Sequence, residues 1–269
     1  PPPILYAKGS LTAVPTEAVA MVGMRKATAT GKLAAGVLAG DLAGRGLLVV
    51  SGLARGIDSA AHRGALEKGI TAAVLGCGLD VAYPRENARL MEQVCNQGVA
   101  LSEFPLGTPP NAWHFPARNR IISGLALAVI VVEAEEKSGS LITVDCALEQ
   151  GRDVYAVPGN IFAPGSRGPH KLLKQGAAVV TCGQDVVDLL GLESLFPPGV
   201  GKEQPQPVLS PGERDILRLL DSESLGIEEL AARSGLTAAA LLPTLTYLEL
   251  KGLLKQIGGQ NFQRVPDFS

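Results

Sequence analysis

Seven short apolar runs punctuate the first 190 residues: AVAMVG (18–23), LLVVSG (47–52), TAAVLG (71–76), VALSE (99–103), AVIVVEA (128–134), DVYAVPG (153–159) and AAVVTC (177–182). Most are continuous rather than alternating, the pattern of strands buried on both faces. The stretches between them, about 29–45, 58–68, 85–97, 118–126, 140–150, 168–175 and 184–190, read as helices. Strand–helix alternation predicts right-handed crossovers and an α/β, Rossmann-like, doubly wound, mainly parallel sheet. Ligands of such sheets bind beyond the carboxyl ends of the strands. Those ends carry Gly23, Ser51-Gly52, Gly76 and Glu133, which places the site on the chain.

The pattern changes after residue 190. Residues 191–209 are rich in proline and glycine and have no apolar periodicity, so they read as a linker. Helical patterns follow at about 211–221, 227–234 and 237–251, with Ser234-Gly235 as a turn, and 253–265 reads as a hairpin turning at Gly258-Gly259. Three helices and a hairpin make a small C-terminal winged-helix domain, 210–269, beside the Rossmann-like domain, 1–190.

Composition narrows the chemistry. With 46% apolar and 19% charged residues in 269, the chain is globular. Its net charge of −2 neither requires nor excludes a nucleic-acid partner. Cys77, Cys95, Cys146 and Cys182 are too scattered for a metal site or a disulfide framework, and they fit a reducing cytoplasm. The longest apolar run, 125–132, is too short for a membrane span, and no signal peptide is visible. The opening Pro1-Pro2-Pro3 reads as a trimmed start. Residues 191–269 hold 7 basic and 10 acidic residues, and the third helix has no Lys or Arg before Lys251. Groove-reading helices need basic and amide side chains, which favours protein contact over duplex readout for this module.

Several nucleotide signatures fail. Gly31-Lys32 resembles the end of a P-loop, but Gly23 is too far upstream and Leu33 replaces the magnesium-binding hydroxyl. Gly76-Cys77-Gly78 begins like a dinucleotide fingerprint, yet Val81 replaces the third glycine and the motif follows the third strand. No GxSxG elbow occurs. No catalytic set, cofactor or metal is expected. What does recur is a phosphate-cradle arrangement. Arg25 lies just past the first strand, where a guanidinium can fork onto phosphate oxygens or stay a solvated loop arginine. Ser51, Gly52 and Gly56 form a turn that either serves packing or lets backbone approach a phosphate. Asp58 reads as a helix N-cap, with His62 on its face in structural pairing. Arg118 and Arg120 bracket Asn119 at the expected start of a helix, where positive charge opposes the dipole and calls for a salt bridge or a bound anion. Lys137, Ser138, Gly139 and Ser140 precede another helix. Trp113, Phe115 and Phe162 are the aromatic candidates for base stacking.

The stretches VGMR (22–25), SGLARGIDSAAH (51–62), LGCGLDVAYP (75–84), FPARNRIISGL (115–125), SGSLITVDCALEQGR (138–152) and AVPG (156–159), in this order, resemble the bacterial DNA-processing protein A family, also called Smf. The resemblance covers about 1–190, and the tail resembles that family's winged-helix domain. It implies an extended Rossmann domain that binds single-stranded DNA without catalysis. It also implies a role in natural transformation, loading of the RecA recombinase onto the strand, and a homodimer. The family's basic DNA pocket maps onto Arg25, Ser51, Gly52, Arg118, Lys137, Ser138 and Gly139, with Asn119 and Arg120 as helpers. Met24, where the family prefers a small residue, and Val144-Asp145, in place of alanine, depart from its pattern. Two alternatives stay open: a nucleotide phosphoribohydrolase-like enzyme using Gly139, Thr143 and Glu149, and a transcription regulator acting through the winged helix.

Overall fold

The computed structural model describes residues 1–12, 14–193, 210–221, 223–250, 252–257, 259 and 261–265. The expected linker lies, for 194–209, outside the described residues. Contacts divide the chain into two compact units, 1–201 and 202–269.

In the first unit all seven apolar runs form strands: β2 (Ala18–Val22), β3 (Leu48–Ser51), β4 (Thr71–Leu75), β5 (Val99–Ser102), β6 (Ala128–Val131), β7 (Asp153–Ala156) and β8 (Ala178–Val179). They pair in parallel, in the order β5-β4-β3-β2-β6-β7-β8. β1 (Tyr6–Gly9) adds an antiparallel strand against β5 that the apolar pattern does not predict. Three of its four residues are exposed, so it carries no continuous apolar run.

Side chains alternate across the sheet as a strand requires. Ala18, Ala20 and Val22 of β2 enter one core with Ile121 and Ile122 of α4 (His114–Gly124), Val144 of α5 (Leu141–Glu149) and Leu172 of α6 (Arg167–Lys174). Val19 and Met21 enter the other, with Leu38 and Leu42 of α1 (Ala29–Gly44), Ile57 and Ala61 of α2 (Ile57–Lys68) and Val186 and Val187 of α7 (Gly183–Leu189). α3 (Ala88–Gln97) covers β4 through Leu90, Met91 and Val94. The switch point lies at β2, from which the chain winds outward both ways. α1 and α2 pack almost backbone on backbone: a Cβ on Gly64 would sit 1.9 Å from the carbonyl oxygen of Gly36.

Two boundaries differ from expectation. α4 begins at His114 rather than 118, because Pro116 falls in its first turn, where a missing N–H costs nothing. Arg118 and Arg120 are therefore inside the helix, not at its amino terminus. Asp58 is not an N-cap: that position is Gly56, at φ 75°, and Asp58 sits in the first turn of α2.

The second unit holds α8 (Pro211–Leu219), α9 (Ile227–Ser234) and α10 (Ala238–Leu250), with β9 (Leu225–Gly226), β10 (Leu254–Gln256) and β11 (Asn261–Arg264) paired in the order β10-β11-β9. Its own core includes Ile216, Leu230, Leu241, Leu245 and Phe262. Ser210 caps α8 in a capping box with Glu213, and Gly235 closes α9 in the left-handed region. Of the expected hairpin turn, Gly258 lies outside the described residues. Among the described residues no helix is long and apolar enough to cross a membrane.

Candidate functional site

The carboxyl ends of β2, β3, β4 and β6 open into one cleft of about 660 Å³. Its loops are interlocked by backbone contacts. The Met24 N–H donates to Glu133 O at 2.7 Å, and Met24 O accepts from the Ile57 N–H at 3.4 Å. Gly23 is required here, since a Cβ would come within 2.5 Å of Ile57. The departure at Met24 is accommodated by Gly165, whose missing side chain leaves room for the Met24 sulfur.

Six of the nine expected site residues line this cleft: Arg25, Arg118, Asn119, Lys137, Ser138 and Gly139. Gly52 lines an adjoining recess of about 50 Å³, together with Arg25 and Arg118. Ser51 and Arg120 are not brought to it. The Ser51 side chain is fully buried and donates to Met21 O at 2.7 Å, so it ties β3 to β2. Arg120 is paired with Glu103.

Arg118 does not lie free at the surface. It is 4% exposed, and Nη1 donates to the carbonyls of Gly52, at 2.9 Å, and Val74. It thus satisfies acceptors at two strand ends, while Nε donates to Asn119 Oδ1 at 3.3 Å, and it lines the wall of the cleft. Burial pushes its pKa down to about 10, against the stabilising charge of Asp58, so it stays charged at neutral pH. Asp58 is itself buried, which raises its pKa; Arg118 and the Ala54 N–H, at 3.3 Å from Oδ2, oppose that shift. Both groups crowd Gly52, where a Cβ would lie 2.6 Å from Arg118 Nη2 and 2.7 Å from Asp58 Oδ2.

Arg25 is exposed, with its guanidinium carbon 5.4 Å from the centre of the Phe115 ring. Tyr83 packs against the same ring at 5.3 Å. Gly76 makes space for that ring, since its Cβ would meet Phe115 at 2.9 Å. The dinucleotide-like glycine is therefore a packing glycine. Trp113 and Phe162 are exposed and do not line the cleft.

On the opposite wall Asn119 reaches Gly139 O at 3.5 Å. Ser138 and Ser140 share a hydrogen bond of 2.8 Å. α5 starts without a side-chain cap, and the N–H groups of Leu141 and Thr143 donate instead to Ser138 O and Ser140 O, at 3.0 and 3.1 Å. A Cβ on Gly139 would meet nothing, so packing does not require that glycine. Thr143 lines the cleft but Glu149 does not, so the phosphoribohydrolase-like trio is not assembled. Asp145 is exposed and away from the lining.

The amino end of α1, where a dinucleotide's pyrophosphate binds in many Rossmann folds, is already filled. Thr28 caps α1 by accepting from the Gly31 N–H at 2.9 Å. Its hydroxyl and N–H donate to the two oxygens of Glu133, at 2.5 and 2.9 Å. A Cβ on Gly31 would strike that carboxylate, which explains the glycine of the P-loop look-alike.

Sequence reasoning missed Lys26, Arg55 and Tyr83, which line the cleft or the recess. Arg55 stands between the strand-end glycines Gly52 and Gly56, a position that could have marked it. Tyr83 gave no sequence signal beyond its place in the loop after β4. His62 is fully buried, with Nδ1 at 2.7 Å from Thr71 Oγ1, which donates its own proton to Val49 O at 2.6 Å. Nδ1 therefore carries the proton, and Nε2 has no partner. Among the described residues no group of three or more His, Cys, Asp or Glu side chains could hold a metal ion.

Fold and cleft together define a Rossmann-like protein whose dinucleotide position is closed by its own carboxylate and whose strand ends carry a basic cleft instead. The chain belongs to the DNA recombination-mediator protein A family, whose model matches residues 1–191, and a DprA winged helix domain model matches residues 200–260. It is 42% identical to the protein Smf of Escherichia coli over 267 residues, 96% of this chain and 71% of that protein. The structure of DNA processing protein A from Streptococcus pneumoniae matches with a TM-score of 0.66 and 48% identity, over 68% of this chain and 65% of that one. DNA processing protein A of Helicobacter pylori matches with a TM-score of 0.65 and 32% identity, over 71% and 87%. That structure is described as giving insight into a unique single-stranded DNA binding mode. The chain thus spans less than two thirds of the S. pneumoniae protein.

Proposed function

We propose that the cleft binds single-stranded DNA through its sugar–phosphate backbone. The observation that carries this reading is the convergence of Arg25, Lys26, Arg118 and Lys137 on one cleft, opposed by only two acidic side chains, Asp58 and Glu135. Asp58 and Arg118 are both buried, so the reachable charge is that of the exposed Arg25, Lys26 and Lys137 against Glu135, and it is positive. The positive end of the α5 dipole lies beside Ser138, Gly139 and Ser140 of the cleft lining, and the Tyr83–Phe115 pair offers a face on which a base can stack. The binding mode described for the H. pylori relative supports the same ligand.

The strand so held is handed to a recombinase of the RecA type during natural transformation, and the working form in the cytoplasm is a homodimer. These readings rest on the family resemblance. The winged helix serves protein contact, since α10 carries no basic residue. No catalytic step is assigned.

A mobility shift comparing single-stranded with duplex DNA over a range of salt tests the proposal. Single strands are expected to bind more tightly, with log K falling against log salt at a slope of roughly −2 to −3, from about 0.7 per neutralised phosphate. Salt-insensitive binding, or a preference for duplex, would overturn it. RecA assembly on protein-coated strands, with and without the chain, tests the loading step.

A further inference from the structure

We propose that Arg55 is a further phosphate contact of this site, and that Glu86 holds it in reserve as a built-in competitor. The inference rests on the single-strand reading above. Arg55 lines the recess next to Arg25 and Arg118, with Tyr83, Pro84 and Phe115 completing the wall. Its Nε and Nη2 donate to the two oxygens of Glu86, both at 2.7 Å. This is the two-point geometry a guanidinium also makes with a phosphate. Both side chains are more than half exposed, so the pair is weak and readily exchanged.

The backbone beneath them is held firmly. Asn87, which follows Glu86 in a 3₁₀ turn (Arg85–Asn87), is buried, and Nδ2 donates to Leu53 O at 2.9 Å and Ala54 O at 3.3 Å. Leu53 is the one non-glycine residue at positive φ among the described residues, at 56°, and its side chain is fully buried. Arg55 and Glu86 thus project from two segments fixed to each other. A strand leaving the cleft over the recess meets a guanidinium whose partner is a carboxylate, and phosphate displaces that carboxylate without moving the backbone.

The test measures affinity for oligothymidylate against salt for the full chain and for Arg55→Ala, Glu86→Gln, the double variant, and Arg25→Ala as a reference. Glu86→Gln is expected to tighten binding about 2- to 5-fold. Arg55→Ala is expected to weaken it and to reduce the salt slope by about 0.7, one phosphate's share on a single strand. The double variant is expected to behave as Arg55→Ala, because Glu86 acts through Arg55. If Arg25→Ala weakens binding while Arg55→Ala and Glu86→Gln change neither affinity nor slope, this inference fails and the single-strand reading survives. If the parent chain does not bind oligothymidylate, both fail. Equal tightening by Glu86→Gln with and without Arg55 would also overturn it, by making Glu86 a general repulsive charge.

Discussion

Thr28 and Glu133, 105 residues apart in the chain, hold each other by two hydrogen bonds at the amino terminus of α1. The end of β6 thereby reaches across β2 and occupies the helix end that would otherwise attract a phosphate. This contact explains why the fold carries the Rossmann layout without its usual ligand position, and it moves the open anion-attracting surface toward Arg25 and the start of α5.

Removing that contact is expected to cost stability while adding positive charge. Glu133→Ala should lower the unfolding free energy by about 1–2 kcal/mol, the range for losing a cap and a charge-assisted hydrogen bond. It should also tighten single-strand binding. Urea melts and a binding titration on the same preparation check both.

Arg25 and Arg118 are expected to separate cleanly. Arg25→Ala should weaken DNA binding at every sequence tested and leave Tm within about 2 °C, since exposed substitutions away from structural features change stability little. Arg118→Ala should destabilise by about 3–5 kcal/mol, because it strands Asp58 and two strand-end carbonyls in the interior. Arg118→Lys should recover little, as a single ammonium cannot reproduce the guanidinium's geometry. Differential scanning calorimetry beside the mobility shift distinguishes the two.

The crowding at Gly52 predicts that Gly52→Ala is harmful despite its small size. The added methyl would press on both Arg118 and Asp58. The expected loss is about 1–3 kcal/mol, typical of overpacking, with a fall in DNA affinity from displacement of Arg118. Gly139→Ala, whose methyl meets open space, is the matched control and should fold normally.

The sheet is legible in the sequence because β2 to β6 are buried along their whole length and announce themselves as apolar runs, and β7 and β8 keep the same apolar character although they are partly exposed. β1 escaped because an edge strand with exposed side chains has no such run. The start of α4 is not legible in the pattern, since Pro116 interrupts it, yet the first turn tolerates a proline and Arg118 lies inside the helix. The sequence leaves Ser51 open between packing and phosphate contact, because a serine at a strand end can turn either way; it turns inward to Met21 O. The counter-charges Glu86 and Glu133 could not be paired with Arg55 and Thr28 without the crossovers that join them.

His62 makes stability depend on pH. Burial, with Arg118 and Arg63 adding repulsion, pushes its pKa from 6.5 down to about 3. Between those values the unfolded chain binds a proton that the folded chain does not, so stability falls as the pH drops through this window. His62→Asn keeps a donor toward Thr71 without a titrating ring. Its unfolding free energy should depend less on pH between 6 and 4, by about 1.4 kcal/mol per pH unit. Denaturant titrations at several pH values give the two slopes.

The close seating of Gly64 on Gly36 has a mechanical meaning. The loop bearing Arg25 leads into α1, and the loop bearing Arg55 leads into α2. With no side chain between them at that crossing, the two helices form one stiff beam under the sheet. If DNA engages either arginine as proposed, a pull on it loads both helices together. The pull is spread into the core rather than spent on bending a loop.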